Sequence, residues 1–117
     1  NPFVMGRIVD VTKTFEQILG GLDDIELDIT LKVVDRFLEW NNQTYDIKSS
    51  GEETVISSVS RNPDAEIDIK TLAQLLWGYV SPGQAIDYNM VKVFNPSKVQ
   101  QIISMFPKVV PYIYEDY

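Results

Sequence analysis

Ala65-Glu-Ile-Asp-Ile-Lys-Thr-Leu-Ala-Gln-Leu-Leu-Trp-Gly-Tyr79 changes its hydrophobic period partway along. Glu66-Ile67-Asp68-Ile69 alternates polar and apolar residues, the period of a short strand. Beyond it, Leu72, Leu75 and Leu76 recur at the spacing of one helix face. Thr71 is suited to cap that helix, and Gly78 stands near its end. A strand that runs straight into a helix predicts a mixed fold, and its flanks decide how that fold is built.

Upstream, strands dominate. Residues 3–9 read as a strand, then Val11, Phe15, Ile18 and Leu19 recur at helical spacing until Gly20-Gly21 stops the helix. Ile25, Leu27, Ile29, Leu31 and Val33 alternate with Glu26, Asp28, Thr30 and Lys32, so this strand has one apolar and one solvated face. Asp35-Arg36 makes a turn into Phe37-Leu38-Glu39-Trp40, and Asn41-Asn42 suits a tight hairpin because Asn tolerates positive φ. Residues 44–48 return as a strand, 49–53 are a polar loop, 54–59 a further strand and 61–64 a turn.

Downstream, helices dominate. Ser81-Pro82 starts a second helix, with Ser as cap and Pro at the first helical position. Residues 91–94 read as a brief strand. Asn95-Pro96 repeats the cap-plus-Pro device before Val99, Ile102, Ile103 and Phe106 line one helix face. Gly78 and Gly83 punctuate helices and form no phosphate-cradling pattern. The predicted fold class is α+β: a curved, mostly antiparallel sheet of about five strands with helices packed on one side.

The 117 residues bound this to a single domain, residues 1–117, with one core. Seventeen acidic against ten basic side chains give a net charge of −7, which argues against a basic face for nucleic acid and weakly favours cationic partners. No apolar run is long enough for a membrane span. There is no Cys and no His, which removes disulfides, Cys- or His-based zinc sites and nucleophile–His catalysis. Missing cysteine fits a cytoplasmic protein. The opening Asn1-Pro2, without Met, suggests a piece of something longer.

Few residues suggest chemistry. Asp64, Glu66 and Asp68 fall on one face of an extended segment, but too few oxygens gather there for calcium, and a solvated strand face is the plainer reading. Asp23, Asp24, Glu26 and Asp28 read the same way. Trp40, Tyr45, Trp77 and Tyr79 could line a pocket, although aromatics so placed are more often core. The end of the chain, Phe106-Pro-Lys-Val-Val-Pro-Tyr-Ile-Tyr-Glu-Asp-Tyr117, is too apolar for a solvated tail and needs a groove, on this domain or another. A terminal carboxylate drawn into such a groove loses hydration, its pKa rises, and it becomes suited to act as a general base on an amine.

Two sets of residues carry a family resemblance. The 65–79 stretch with Ser81-Pro-Gly-Gln-Ala-Ile86, and the closing Phe106-Pro107, resemble the signature of sterol-carrier-protein-2-like (SCP2-like) domains. Met5-Gly-Arg-Ile-Val-Asp-Val11, Val33-Val34-Asp35 and Trp40-Asn41 resemble one branch, the C-terminal domain of Eis-type (enhanced intracellular survival) acetyltransferases. The resemblance implies an SCP2-like fold and two preceding domains of the GNAT kind in the same chain, which would bind acetyl-CoA; no cofactor falls to this domain. It implies acetyl transfer to a cationic amine, such as an aminoglycoside or lysine-type substrate, in a homo-oligomer. The domain would shape the substrate cavity, and the Tyr117 α-carboxylate would take the proton from the attacking amine. Tyr114 would help to anchor the tail, while Glu115 and Asp116 add negative charge in the cavity. Tails in that branch usually finish with Phe; here the sequence reads Asp116-Tyr117. The alternative is a free-standing SCP2-like carrier of lipid or sterol.

Overall fold

The structure, a computed structural model, describes residues 8, 10–20, 26–50 and 53–106. The strand expected over 3–9 lies outside them except for Ile8, which is buried in the core. Helix α1, Val11–Gly20, buries Val11, Phe15 and Leu19, four residues apart and so on one face. Asp10 caps it, its carboxylate accepting from the Lys13 amide at 3.1 Å.

Strands β1 (Glu26–Val34), β2 (Thr44–Ser50), β3 (Glu53–Ser58), β4 (Ala65–Asp68) and β5 (Val91–Val93) form one sheet in the order β3-β2-β1-β4-β5. All neighbouring pairs are antiparallel except β1 and β4, which run parallel with Leu31 opposite Ala65 and Val33 opposite Ile67. Helices α2 (Ile69–Leu76), α3 (Pro82–Asp87) and α4 (Val99–Met105), with two short 3-10 turns, complete the described elements. The fold is α+β with a five-stranded, mostly antiparallel open sheet, as the sequence predicts.

Strand alternation divides the sheet into two faces. Leu27, Ile29, Leu31 and Val33 share a side with Tyr45 and Ile47 of β2, Ala65 and Ile67 of β4, and Val91 of β5. These residues join one core with Val11, Phe15 and Leu19 of α1, Leu72 and Leu75 of α2, Ala85 of α3, and Ile102 and Met105 of α4. All four helices therefore cover this face. The other face carries Asp28, Thr30 and Lys32 of β1 beside Lys48, Asp46 and Thr44 of β2, with Glu66 and Lys92 farther along.

β1 outruns β4, so among the described residues the half of β1 before Leu31 has no strand on that side. Side chains and one loop amide meet its peptide groups instead. The Asp28 amide donates to Gln101 Oε1 at 2.7 Å and its carbonyl accepts from Lys98 Nζ at 2.6 Å. The Thr30 amide donates to Asp64 Oδ2 at 2.8 Å, and the Thr30 carbonyl accepts from the Asp64 amide at 2.7 Å.

Two local expectations are corrected. The helix after β4 starts at Ile69, not after Thr71: Asp68 is its cap, accepting from the Lys70 amide at 2.8 Å, while Thr71 is buried inside the helix. After the Asp35-Arg36 turn, Glu39–Asn41 is a single 3-10 turn. Asn41-Asn42 is no hairpin tip. Asn42 has φ −82°, and Asn41 is buried at 1% exposure because its amide is needed in the interior. The other two caps stand as read. Ser81 and Gln84 make a reciprocal capping box, and Asn95 accepts from the Ser97 amide ahead of a 3-10 turn that leads into α4.

The Asn41 side chain joins three segments. Its Oδ1 accepts from the Val11 amide at 3.0 Å; its Nδ2 donates to the Ile8 carbonyl at 3.3 Å and to Asp35 Oδ2 at 3.1 Å. The other Asp35 oxygen accepts from the Phe37 and Leu38 amides at 2.9 and 3.0 Å. Beneath them Tyr45 donates its hydroxyl to the Trp40 carbonyl at 3.2 Å, with the Asn41 carbonyl at 3.3 Å. Burial, together with the nearby Asp10 and Asp35 carboxylates, pushes the Tyr45 phenol up to about 12.

Asn41→Ala leaves the Val11 amide and the Asp35 carboxylate short of buried partners and is expected to cost about 2–4 kcal/mol in urea unfolding. Asp68→Ala removes one cap and is expected to cost about 1 kcal/mol by the same measurement. Tyr45 supplies a pH signature. The unfolded phenol ionises near 10 and the folded one near 12, so across that window the unfolded chain binds fewer protons and stability falls as pH rises. Urea midpoints from pH 9 to 12 are expected to drop less steeply for Tyr45→Phe than for the parent; parallel slopes would refute this.

Candidate functional site

Among the described residues, the sheet face opposite the helices is a polar surface positioned by regular structure. Two of its acidic side chains, Asp46 and Glu66, are already matched. Asp46 is buried although its strand position faces outward, because Thr30 and Arg61 close over it. Thr30 Oγ1 donates to Asp46 Oδ1 at 2.9 Å, and the Arg61 guanidinium pairs with Asp46 Oδ2. Burial opposes ionisation of Asp46; the hydrogen bonds from Thr30 and Arg61 and the charges of Arg61 and Lys48 outweigh it and hold the carboxyl below its ordinary range. Its stabilising effect is present above the ordinary carboxylate pKa and lost as pH falls through the lowered folded value.

Glu66 lies between two lysines, with Lys32 Nζ 3.8 Å from one oxygen and Lys92 Nζ 3.8 Å from the other. These solvated pairs contribute little stability, on the order of 0–1 kcal/mol each, but they leave Glu66 no excess charge to offer a cation. Asp64 is occupied by the Thr30 amide and by Asn95 Nδ2 at 3.1 Å, and Asp68 by the start of α2. The sequence places Asp64, Glu66 and Asp68 along one extended segment, and the structure gives each a separate structural task. Among the described residues no cluster of His, Cys, Asp or Glu could hold a metal ion.

A shallow depression of about 320 Å³ sits at the far end of β1, β2 and β3, lined by Leu27, Asp28, Lys48, Ser49, Ser50, Glu53 and Val55. Its mixed lining offers a cation and two carboxylates beside Val55.

The four aromatics that could have lined a pocket serve different ends. Tyr45 is buried at 3% exposure, Trp77 is partly buried against the core, and Trp40 and Tyr79 are 53% and 51% exposed. Tyr45 is held as a neutral donor to backbone carbonyls, which suits structure and not proton transfer. The terminal residues Tyr114, Glu115, Asp116 and Tyr117 lie outside the described residues, as does everything after Phe106. Sequence reading missed the Thr30–Asp46–Arg61 group and Asn41. A carboxylate in the middle of a strand was a signal for the first; the second carries no local signal, because its partners are distant in the chain.

Among the described residues no helix is long and apolar enough to cross a membrane. A search of curated proteins finds no match. The fold does match solved structures at low sequence identity. A GCN5-related N-acetyltransferase from Anabaena variabilis aligns with TM-score 0.70 and 20% identity over 86% of this chain and 25% of its own. A probable N-acyltransferase from Enterococcus faecalis aligns with TM-score 0.73 and 19% identity over 87% of this chain and 26% of its own. Eis1 from Mycobacterium abscessus aligns with TM-score 0.63 and 16% identity over 80% of this chain and 24% of its own. This chain thus spans about a quarter of the length of each, and at such identity the likeness is one of fold. The sequence itself matches a family over residues 11–114, nearly the whole described region. The chain belongs to the sterol carrier protein domain family.

Proposed function

We propose that this chain is the C-terminal domain of a GNAT-kind, Eis-type N-acetyltransferase that moves acetyl from acetyl-CoA to a cationic amine, an aminoglycoside or a lysine-type substrate. One observation carries the reading: a sterol carrier protein domain whose fold recurs as about a quarter of one chain described as an N-acetyltransferase and of another described as a probable N-acyltransferase. The upstream domains would hold acetyl-CoA, and no residue of this chain is assigned to it. The enzyme would be a cytoplasmic homo-oligomer, with this domain packing the oligomer and closing the substrate cavity.

The chemistry assigned to this chain belongs to its last residues. The Tyr117 α-carboxylate takes a proton from the amine nitrogen as that nitrogen attacks the acetyl carbonyl and the thiolate of coenzyme A leaves. Tyr114 anchors the tail, and Glu115 and Asp116 draw the cationic amine by charge. Two open-face carboxylates, Asp46 and Glu66, are paired with basic side chains, and Tyr45 is held protonated, so these three are unsuited to compete as the base.

The test uses the complete protein. Deleting residues 115–117 is expected to lower kcat for acetyl transfer by about 10²–10⁴-fold, the usual range for losing a general base, with a smaller change in KM. Unchanged kcat would sink the carboxylate assignment. The isolated 117 residues are expected to turn over no acetyl-CoA. Saturable uptake of a fluorescent fatty-acyl ligand by them would favour the lipid-carrier alternative.

A further inference from the structure

The two edges of the sheet are finished differently. β5, at one edge, is three residues long, exposes Lys92 at its centre and is soon followed by Pro96. Brevity, an exposed Lys and a nearby Pro are the usual means by which an edge is kept from pairing with another chain. β3, at the other edge, has six residues, Glu53-Thr-Val-Ile-Ser-Ser58, and none of these devices. Its single charge stands at one end, and its pairing with β2 runs without a bulge from Ser58 opposite Tyr45 to Glu53 opposite Ser50. Among the described residues nothing meets the outer amides and carbonyls of β3. Val55, halfway along, is 51% exposed. A regular, nearly uncharged edge with an exposed aliphatic side chain is a template for one more strand.

The charges along that edge say which strand fits it. Two copies of β3 opposed antiparallel about Val55 set Val55 against Val55, Thr54 against Ile56 and each Glu53 against Ser57. Opposed residues then share a sheet face, the exposed Val55 is covered by its own copy, and no like charges meet. A second copy of this chain therefore complements the edge, as the two sides of a twofold interface must. Helix α1 packs over β3, so the same twofold brings two α1 helices alongside each other in reverse order. Their exposed Lys13 and Glu16 are of opposite charge, so such neighbours can attract.

We propose that β3 is the surface through which two copies of this chain join, strand to antiparallel strand, into one continuous sheet. Such a surface deepens the homo-oligomer named above, yet it rests on the β3 edge alone and needs no acetyl transfer. Tyr88, 71% exposed at the end of α3 and so on the β5 side of the sheet, provides an internal reference.

Val55→Cys and Tyr88→Cys are introduced separately into the full-length protein, which is oxidised mildly and read peptide by peptide by mass spectrometry. A disulfide joining position 55 of two chains is expected, at least about ten-fold more abundant than one joining position 88, because directly opposed strand positions lie within bridging distance. In sedimentation, Val55→Lys is expected to weaken self-association at least about ten-fold, an edge Lys being a barrier to pairing. Equal bridging at the two positions overturns the proposal, as does self-association that Val55→Lys leaves untouched. The unaltered protein supplies a further reading through hydrogen exchange of the β3 amides, which is expected to quicken on dilution to monomer. Slow exchange that survives dilution overturns the proposal and assigns the edge to a strand of the same chain. An oligomer with no bridge at position 55 sinks the β3 surface alone, whereas a monomer at every concentration sinks the homo-oligomer as well.

Discussion

One buried amide holds the fold's separate parts in register. The Asn41 side chain is a single planar group, yet it meets the N-terminal segment at Ile8, the first turn of α1 at Val11, and the connection between β1 and β2 at Asp35. Buried polar groups stabilise only when every partner is satisfied, and here both ends of the amide are used. Helix α1 could slide over an apolar sheet face at little cost, because hydrophobic contact is not directional. The Asn41 bond to the Val11 amide removes that freedom and sets where Phe15 and Leu19 enter the core.

The two sheet faces follow different physical rules, and the division bears on function. One face is closed by four helices around aliphatic side chains. The other is polar, with Asp46 between Arg61 and Lys48, and Glu66 between Lys32 and Lys92. These pairs offset part of the chain's net charge of −7 on this face. Within the proposal, the terminal Glu115 and Asp116 would draw a cationic amine, and they carry that reading. Fold membership alone would not, since one architecture serves many chemistries.

Much of the architecture could be read from local pattern. The alternation over β1, the spacing of Val11, Phe15 and Leu19, and the Ser81-Pro82 and Asn95-Pro96 starts are short-range signals, and each element formed where they pointed. What escaped was set by distance. The parallel pairing of β1 with β4 depends on a partner some thirty residues away and leaves no mark on either strand alone. Asp68 and Thr71 both qualify as caps by type; the strand ended earlier than its alternation suggested, which handed the role to Asp68. Asn41 has the composition of a turn, and tertiary hydrogen bonds overrode that local preference. Of the candidate site, the terminal residues fall outside the described chain. The paired carboxylates were visible as acids, but their partners were not.

The bare half of β1 has a consequence for the protein's behaviour in a crowded solution. Peptide groups left open in the middle of a sheet would form a slot into which a strand from another molecule could slip, the first step of intermolecular aggregation. Gln101, Lys98 and Asp64 occupy that slot from the side, and two of them belong to the segment that leads into and forms α4. The last described helix is therefore also a stopper. Loosening it would do more than thin the core: it would open an adhesive seam in the centre of the sheet.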